Sequence, residues 1–201
     1  MTSIILAGGK SSRLGQNKAL QTIGGKSLIQ WIIDSLAALS TEIIIATARG
    51  EPIPCFSTVR TRTVADIYPE KGPLGGIYSG LMASSSTLAI VAGCDTPFLS
   101  AGLLDHMVRA SPKFDIVVPR LEGKLEPLCA VYSKSCLAPI QSLLEQDERR
   151  IYDFYGMVKV KYIAEDEINR FDPDHLSFFN INNQDDLETA RNLAMEKGWV
   201  S

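Results

Sequence analysis

Residues 3–18 read SIILAGGKSSRLGQNK, and this segment carries the clearest signal for the fold. The run from Ser3 to Ala7 has the apolar character and length of a buried β-strand, and a glycine-rich loop follows it directly. In α/β sheets such loops lie at the carboxyl edge of the strands, where phosphates bind. The segment therefore predicts an α/β sheet with an anion site next to its first strand.

The loop combines glycines with positive charge. Glycines let backbone N–H groups approach an anion closely, and Lys10, Arg13 and Lys18 add charge that suits a polyphosphate. No acidic residue precedes Asp34, although the whole chain has a net charge of -3 and a pI of about 5.4. This acidic total argues against general nucleic-acid or membrane-surface binding. The local alternative is a tight strand-to-helix turn with incidental surface lysines.

Two common phosphate-binding motifs do not fit the segment. A P-loop requires a glycine at a set distance before its Gly-Lys-Ser, but the two Gly-Lys-Ser sequences of this chain have Ile4 and Leu20 at that position. The glycines at 8, 9 and 15 also lack the spacing of the dinucleotide-binding fingerprint. The predicted anion site is therefore of another kind.

Length and composition indicate an ordinary globular protein. The 201 residues are 45% hydrophobic and 21% charged, so we expect a single domain over residues 1–201. The four cysteines lack the spacing of a zinc or redox motif, which favours structural thiols in a reducing cytosol. No apolar run approaches the roughly 20 residues of a membrane helix, and the N-terminal run is too short for a signal peptide. We expect a cytoplasmic protein that binds neither membranes nor nucleic acid.

Short β-rich runs alternate with helical periodicity along the chain, which is typical of βαβ units around a largely parallel sheet. Strands are predicted at 3–7, 42–47, 63–66, 88–92, 116–119 and 128–132. A Glu122-Gly123 turn between the last two strands predicts an antiparallel hairpin. Helices are predicted from Ser27, after a Gly/Pro loop at 71–76, from a Ser100 cap to Ala110, and at 184–197.

Several motifs then resemble a known family. Leu6-Ala-Gly-Gly, Arg13-Leu-Gly15 and Lys18 look like the opening motif of nucleotidyltransferases that bind a nucleoside triphosphate on a Rossmann-like sheet. The later motifs are Gly72-Pro-Leu-Gly-Gly76, Cys94-Asp95-Thr96-Pro97, Glu126-Pro127-Leu128 and Asn180-Ile-Asn182. The set resembles the molybdenum cofactor guanylyltransferases, the MobA family. This resemblance implies a Rossmann-like three-layer sandwich whose mainly parallel sheet contains an antiparallel element. It also implies Mg²⁺-dependent transfer of GMP from GTP to molybdenum-bound molybdopterin, with pyrophosphate released.

The resemblance also implies the residues that bind the nucleotide. They are Leu6, Ala7, Gly8, Gly9, Lys18, Asp66 and Asp95. Asp95 would hold Mg²⁺, which takes one or two protein carboxylates together with phosphate and water oxygens. Arg13, Lys18 and Asp95 would be the catalytic residues, because they offset phosphate charge. Considered alone, Asp95 could instead cap a helix or close a turn, and Asp66 could be a loop carboxylate in water.

For the second substrate, the resemblance implies Arg150, Asn180 and Asn182. The alternatives are a solvated helix end for Arg150, and turn or N-cap positions before the last helix for the two asparagines. The implied partners are GTP, molybdopterin, and molybdoenzymes or other cofactor-biosynthesis proteins.

One position departs from the family pattern. Ala46 stands after the second strand, where the family commonly has an asparagine, so guanine selection would depend on backbone groups or on neighbours such as Thr47. Within the enzyme class, the alternatives are a CTP-dependent molybdopterin cytidylyltransferase and a sugar-phosphate nucleotidyltransferase. From another class, the alternative is a non-catalytic nucleotide-binding adaptor for molybdoenzymes.

Overall fold

The computed structural model describes residues 1–8 and 18–200 of the chain. Two predicted site residues, Gly9 and Arg13, lie outside the described residues. The strands are β1 (Thr2–Leu6), β2 (Thr22–Ile23), β3 (Lys26–Ser27), β4 (Glu42–Thr47), β5 (Arg60–Ala65), β6 (Leu88–Gly93), β7 (Ile116–Leu121), β8 (Lys124–Leu125), β9 (Cys129–Ser133) and β10 (Val160–Ile163). The α-helices are α1 (Leu28–Ala37), α2 (Gly72–Ala83), α3 (Ala101–Ala110), α4 (Leu137–Glu145), α5 (Glu165–Ile168) and α6 (Gln184–Glu196).

The main sheet has the strand order β10-β7-β9-β6-β1-β4-β5, and β8 pairs with β7 outside this path. Strand β1 lies between β4 and β6 and is parallel to both, with Ile4 opposite Ile44 and Val91. Strand β9 is antiparallel to both of its neighbours, β6 and β7. The prediction of a mainly parallel sheet with an antiparallel element is confirmed.

Helices cover both faces of this sheet. Successive side chains of a strand point to opposite faces. Accordingly, Ile4 belongs to a buried cluster with Leu74 of α2, whereas Ile5 belongs to another with Ile32 of α1 and Leu103 of α3. The three-layer sandwich is therefore confirmed. No helix in residues 1–8 and 18–200 has both the length and the apolar character needed to cross a bilayer.

A third buried cluster joins the last helix to the rest of the chain. Ile181 and Leu187 pack there with Ile23 of the β2–β3 hairpin and with Phe98, which follows β6. Ile181 is fully buried, so the segment leading into α6 is held against the carboxyl end of the main sheet.

The prediction of a Gly/Pro loop at 71–76 is wrong, because α2 begins at Gly72 and includes Gly75 and Gly76. A Cβ at Gly76 would lie 3.0 Å from Leu6 Cδ2, and one at Gly75 would lie 2.8 Å from the Tyr68 carbonyl oxygen. The glycines therefore allow a helix to pack closely against its neighbours.

The predicted hairpin also differs in its partner strand. The turn at Glu122 (φ 49°) and Gly123 (φ 79°) joins β7 to the short strand β8, not directly to β9. Positive φ at both central residues is the geometry of a tight two-residue hairpin. The chain then makes a second turn at 126–128 before β9 pairs with β6 and β7.

Candidate active site

The predicted nucleotide-binding residues of the first strand lie at the carboxyl edge of the sheet. The Leu6 carbonyl accepts a hydrogen bond from Cys94 N at 3.1 Å, and Ala7 N donates to the Ala46 carbonyl at 2.9 Å. These bonds extend the pairing of β1 with β4 and β6 beyond the strand ends. The start of the glycine-rich loop and Asp95 therefore emerge next to each other.

Lys18 joins three distant segments at this edge. Its Nζ donates to Asp95 Oδ2 at 3.1 Å and to Asn182 Oδ1 at 3.3 Å. The side chains of Lys18 and Asp95 are only 12% and 24% exposed. Partial burial strengthens the attraction between the two charges relative to water. The structure thus brings together a predicted catalytic pair and one predicted second-substrate residue.

Backbone contacts fix Asn182 near Asp95. Ile181 N donates to the Asp95 carbonyl at 2.9 Å, and Asn182 N donates to Asp186 Oδ2 at 2.7 Å. The N-cap of α6 is Asn183, whose Oδ1 accepts from Asp186 N at 2.9 Å. Asn182 is therefore not the cap, and its side-chain oxygen is available to Lys18.

Asp95 lies in the turn that follows β6 and does not cap the next helix. Helix α3 is capped by Ser100, whose Oγ accepts from Leu103 N at 3.3 Å. Asn180 has a local bond, since its Nδ2 donates to the Phe178 carbonyl at 3.0 Å. Asp95 is thus not needed as a helix cap, whereas Asn180 is partly engaged in its own turn.

Asp66 and Thr47 form a second polar site near Gly8. Asp66 N donates to the Thr47 carbonyl at 3.0 Å, while Asp66 Oδ1 and Thr47 Oγ1 are buried without a hydrogen-bond partner among residues 1–8 and 18–200. A Cβ at Gly8 would lie 3.6 Å from Asp66 Oδ2 and 3.1 Å from Ala48 N. Burial raises the pKa of Asp66 to about 6. Asp66 is therefore partly buried rather than a loop carboxylate in open water, and two polar atoms lack a partner within the described residues.

The donor set around Asp95 suits a magnesium ion that is held mainly by substrate. In the described part of the chain, no group of three or more His, Cys, Asp or Glu residues could hold a metal. Mg²⁺ commonly takes one or two carboxylates and completes its six ligands with phosphate and water oxygens. Burial and the Asp95 charge raise the pKa of the adjacent Cys94 to about 12, so this thiol stays protonated. Asp95 could supply one such carboxylate.

A cleft of about 690 Å³ extends from this edge of the sheet. Thr96 and Asn180 line it together with Glu126 and Tyr152. Arg150 is exposed and precedes the short 3₁₀ helix Ile151–Met157. Among the described residues, it makes no side-chain hydrogen bond or ion pair with the other site residues. Asn180 thus lies in the cleft. Arg150 is close in sequence to the cleft-lining residue Tyr152 but does not itself line the cleft.

Sequence reasoning did not assign Glu126 or Tyr152 to the site. Glu126 belongs to the Glu-Pro-Leu motif, which supports the family resemblance but did not indicate a function for this glutamate. Tyr152 carries no sequence signal, because its position depends on how the helix 151–157 packs.

The chain is similar to known proteins over most of its length. Residues 3–160 match the family model described as MobA-like NTP transferase domain. A Desulfosudis oleivorans protein named molybdenum cofactor guanylyltransferase is 34% identical, with 100% of this chain and 98% of that protein covered. A Pelotomaculum thermopropionicum protein named "Probable molybdenum cofactor guanylyltransferase" is 35% identical, with 96% and 93% covered. The crystal structure of molybdopterin-guanine dinucleotide biosynthesis protein A from Archaeoglobus fulgidus has a TM-score of 0.80 at 24% identity, with 98% of this chain and 100% of that chain covered.

Proposed function

The chain belongs to the family of MobA-like NTP transferases, and from this premise we propose that it transfers GMP from GTP to molybdopterin. The products are the guanine dinucleotide form of the molybdenum cofactor and pyrophosphate. The relatives named as guanylyltransferases span nearly the whole chain, which supports GTP rather than CTP as the nucleotide.

The observation that carries the proposal is the position of Lys18 between Asp95 and Asn182. One cation, one carboxylate and one amide meet at the carboxyl edge of the sheet, where phosphates bind in α/β folds. The cation can lie between the α-phosphate of GTP and the terminal phosphate of molybdopterin. A site of this kind supports transfer between two anions.

The reaction exchanges one phosphorus–oxygen bond for another. An oxygen of the molybdopterin phosphate forms a bond to the α-phosphorus of GTP, while the bond from that phosphorus to the oxygen bridging to the β-phosphate breaks. Pyrophosphate leaves with the electron pair. Lys18 offsets the negative charge that both anions bring to the reacting centre. We assign Arg13 the same task because of its sequence position.

Asp95 is the residue that would hold Mg²⁺. When bound, the ion supplies further neutralisation of phosphate charge. The Asp95–Lys18 ion pair also keeps the ammonium group in place before substrates arrive. Positioning and charge therefore account for catalysis in this scheme, with no covalent enzyme intermediate.

Asp66 and Thr47 support guanine recognition. Guanine offers a ring N–H next to an exocyclic amino group, and a carboxylate can accept both hydrogen bonds. Asp66 Oδ1 and Thr47 Oγ1 are the buried oxygens without a partner in the described residues, and Asp66 Oδ2 lies 3.6 Å from a Cβ placed at Gly8. These oxygens supply the polar contacts that Ala46 lacks. Gly8, Gly9, Leu6 and Ala7 would contribute backbone groups.

The test is product formation from defined substrates. Purified protein with MgCl₂, molybdopterin and α-³²P-labelled GTP is expected to release pyrophosphate and to label the dinucleotide product. CTP, ATP and UTP in parallel reactions should give little product. Faster turnover with CTP would identify a cytidylyltransferase, and transfer to a sugar phosphate would identify the other enzyme class. Nucleotide binding without pyrophosphate release would identify an adaptor.

Arg150, Asn180 and Asn182 are proposed as molybdopterin contacts. Asn180 is supported by its position in the cleft, and Asn182 by its hydrogen bond from Lys18. Association with molybdoenzymes, the cytoplasmic location and the single domain over 1–201 stay predictions from the sequence.

A further inference from the structure

Lys18, Asp95 and Asn182 form a group that we call the catalytic cluster. The cleft next to it has the properties of a small-molecule site. Its volume of about 690 Å³ falls in the range of about 300–1,000 Å³ that is usual for such sites. Apolar side chains such as Leu125 and Phe178 line it together with a few polar groups. It runs between two regions: Thr96 and Asn180, next to the catalytic cluster, and the turn at 126–128.

Glu126 is a partly buried carboxylate in the lining of this cleft. Within the described ranges, its carboxylate accepts no hydrogen bond and forms no ion pair. Burial raises the pKa of Glu126, and the charge of Lys124 opposes this shift. Removing a carboxylate from water without a compensating partner costs free energy. A ligand with hydrogen-bond donors would supply that partner.

The turn that carries Glu126 is held rigidly. The Tyr132 hydroxyl donates to the Pro127 carbonyl at 2.9 Å and lies 2.9 Å from the Tyr155 hydroxyl. The Leu128 carbonyl accepts from Gly93 N at 3.0 Å, two residues before Asp95. The backbone at Glu126 is therefore anchored close to Asp95, and its side chain lines the cleft.

We propose that Glu126 is a specificity-determining residue that binds the pterin ring of the second substrate. This inference rests on the proposed function. The pyrimidinone ring of a pterin carries a ring N–H beside an exocyclic amino group, and the two oxygens of one carboxylate can accept both bonds. The half-exposed Tyr152 adds an aromatic wall for the flat heterocycle.

Charge sets the direction in which the substrate lies. The phosphate end is attracted to Lys18 and repelled by the carboxylate of Glu126, whereas the donor edge of the ring has the opposite preference. Glu126 thus binds the pterin ring, while the catalytic cluster binds the phosphate.

The first experiment compares Glu126→Gln with Glu122→Gln, a control in the exposed β7–β8 turn. A glutamine presents an amide N–H where the carboxylate accepts a bond, so the KM for molybdopterin should rise roughly ten- to hundredfold. The KM for GTP should not change, and Glu122→Gln should match the wild type. An unchanged KM for molybdopterin in Glu126→Gln would overturn the inference.

A second measurement uses the wild type with two competitors of the transfer reaction. We expect 6-hydroxymethylpterin to inhibit competitively with molybdopterin, and 6-hydroxymethyllumazine, which lacks the 2-amino donor, to inhibit at least tenfold more weakly. Equal inhibition by the two compounds would overturn the assignment even if Glu126→Gln failed to fold. Wild-type protein without transferase activity would refute the proposed function itself. If the wild type is active and Glu126→Gln leaves the KM for molybdopterin unchanged, only this inference is refuted.

Discussion

Lys18 Nζ lies 3.1 Å from Asp95 Oδ2, although 77 positions separate the two residues in the chain. The pair sits at the carboxyl edge of the sheet with only a small part of each side chain exposed. The same ammonium group reaches Asn182 of a third segment. This contact defines the centre of the proposed active site and motivates the first two predictions.

Asp95→Asn is expected to lower kcat/KM for transfer by about 10²–10³-fold, because it removes the charge that holds Mg²⁺ and orients Lys18. The measurement is pyrophosphate release across a MgCl₂ titration. The midpoint of thermal unfolding should fall only modestly, since Asp95 caps no helix and the variant loses only the ion pair with Lys18. A near-normal rate at any Mg²⁺ concentration would contradict the assignment.

Asn182→Ala should affect activity, whereas Asn183→Ala should affect stability. Asn182→Ala removes the oxygen that contacts Lys18 and should reduce transfer activity at nearly unchanged stability. Asn183→Ala removes the N-cap of α6 and should lower the free energy of unfolding by about 1 kcal/mol. Activity assays and urea unfolding of both variants would test this, and the reverse pattern would show that Asn182 has a structural role.

Asp66→Asn should stabilise the ligand-free protein at neutral pH. The pKa of Asp66 is about 6 in the folded protein, against about 3.9 in an unfolded chain. Ionisation therefore favours the unfolded state, and the wild type loses stability as the pH rises from about 4 to about 6. The variant should gain about 1–3 kcal/mol relative to the wild type above pH 6 and nothing below pH 4. Urea unfolding from pH 4 to pH 8 measures this difference; a pH-independent difference would argue against a raised pKa.

The same aspartate should make GTP binding pH-dependent. Protonation below about pH 6 removes an acceptor for the donor edge of guanine, so the Kd for GTP should rise as the pH falls. Calorimetry would measure the Kd for GTP against pH for the wild type and for Asp66→Asn. Protonation of the GTP phosphates affects both proteins equally, and only the wild type should show a further rise in Kd below about pH 6. Identical pH profiles would contradict guanine recognition by Asp66.

Gly80→Ala should destabilise the protein, because a Cβ at Gly80 of α2 would lie 2.4 Å from Ile4 Cγ2 in the central strand. The expected loss is about 1–3 kcal/mol, as for other overpacked core positions. Gly156→Ala is the matched control, since a Cβ there meets no atom within 4 Å among the described residues. Thermal unfolding of both variants tests the packing of α2 on β1, and equal midpoints would contradict it.

Local signals in the sequence predicted most elements of the fold. The buried strand 42–47 is found with the predicted bounds, and Ser100 caps α3 as expected. Such features depend on a few neighbouring residues, so hydrophobic runs and capping residues reveal them. The 71–76 segment failed as a loop because its glycines reflect packing against Leu6 and Tyr68, which lie outside the segment.

The sequence by itself determined six strands of the main sheet, the alternation of strands and helices, the cation-rich first segment and the family motifs. Only the tertiary structure decided that Lys18 meets Asp95 and Asn182, and that Glu126 lines the cleft. It also decided that Asp66 Oδ1 and Thr47 Oγ1 are buried without a hydrogen-bond partner among residues 1–8 and 18–200. The physical reason is that these contacts depend on strand order and on the packing of loops at one sheet edge. Strand order is set by the burial of all the strands together, and no single segment of the chain contains it.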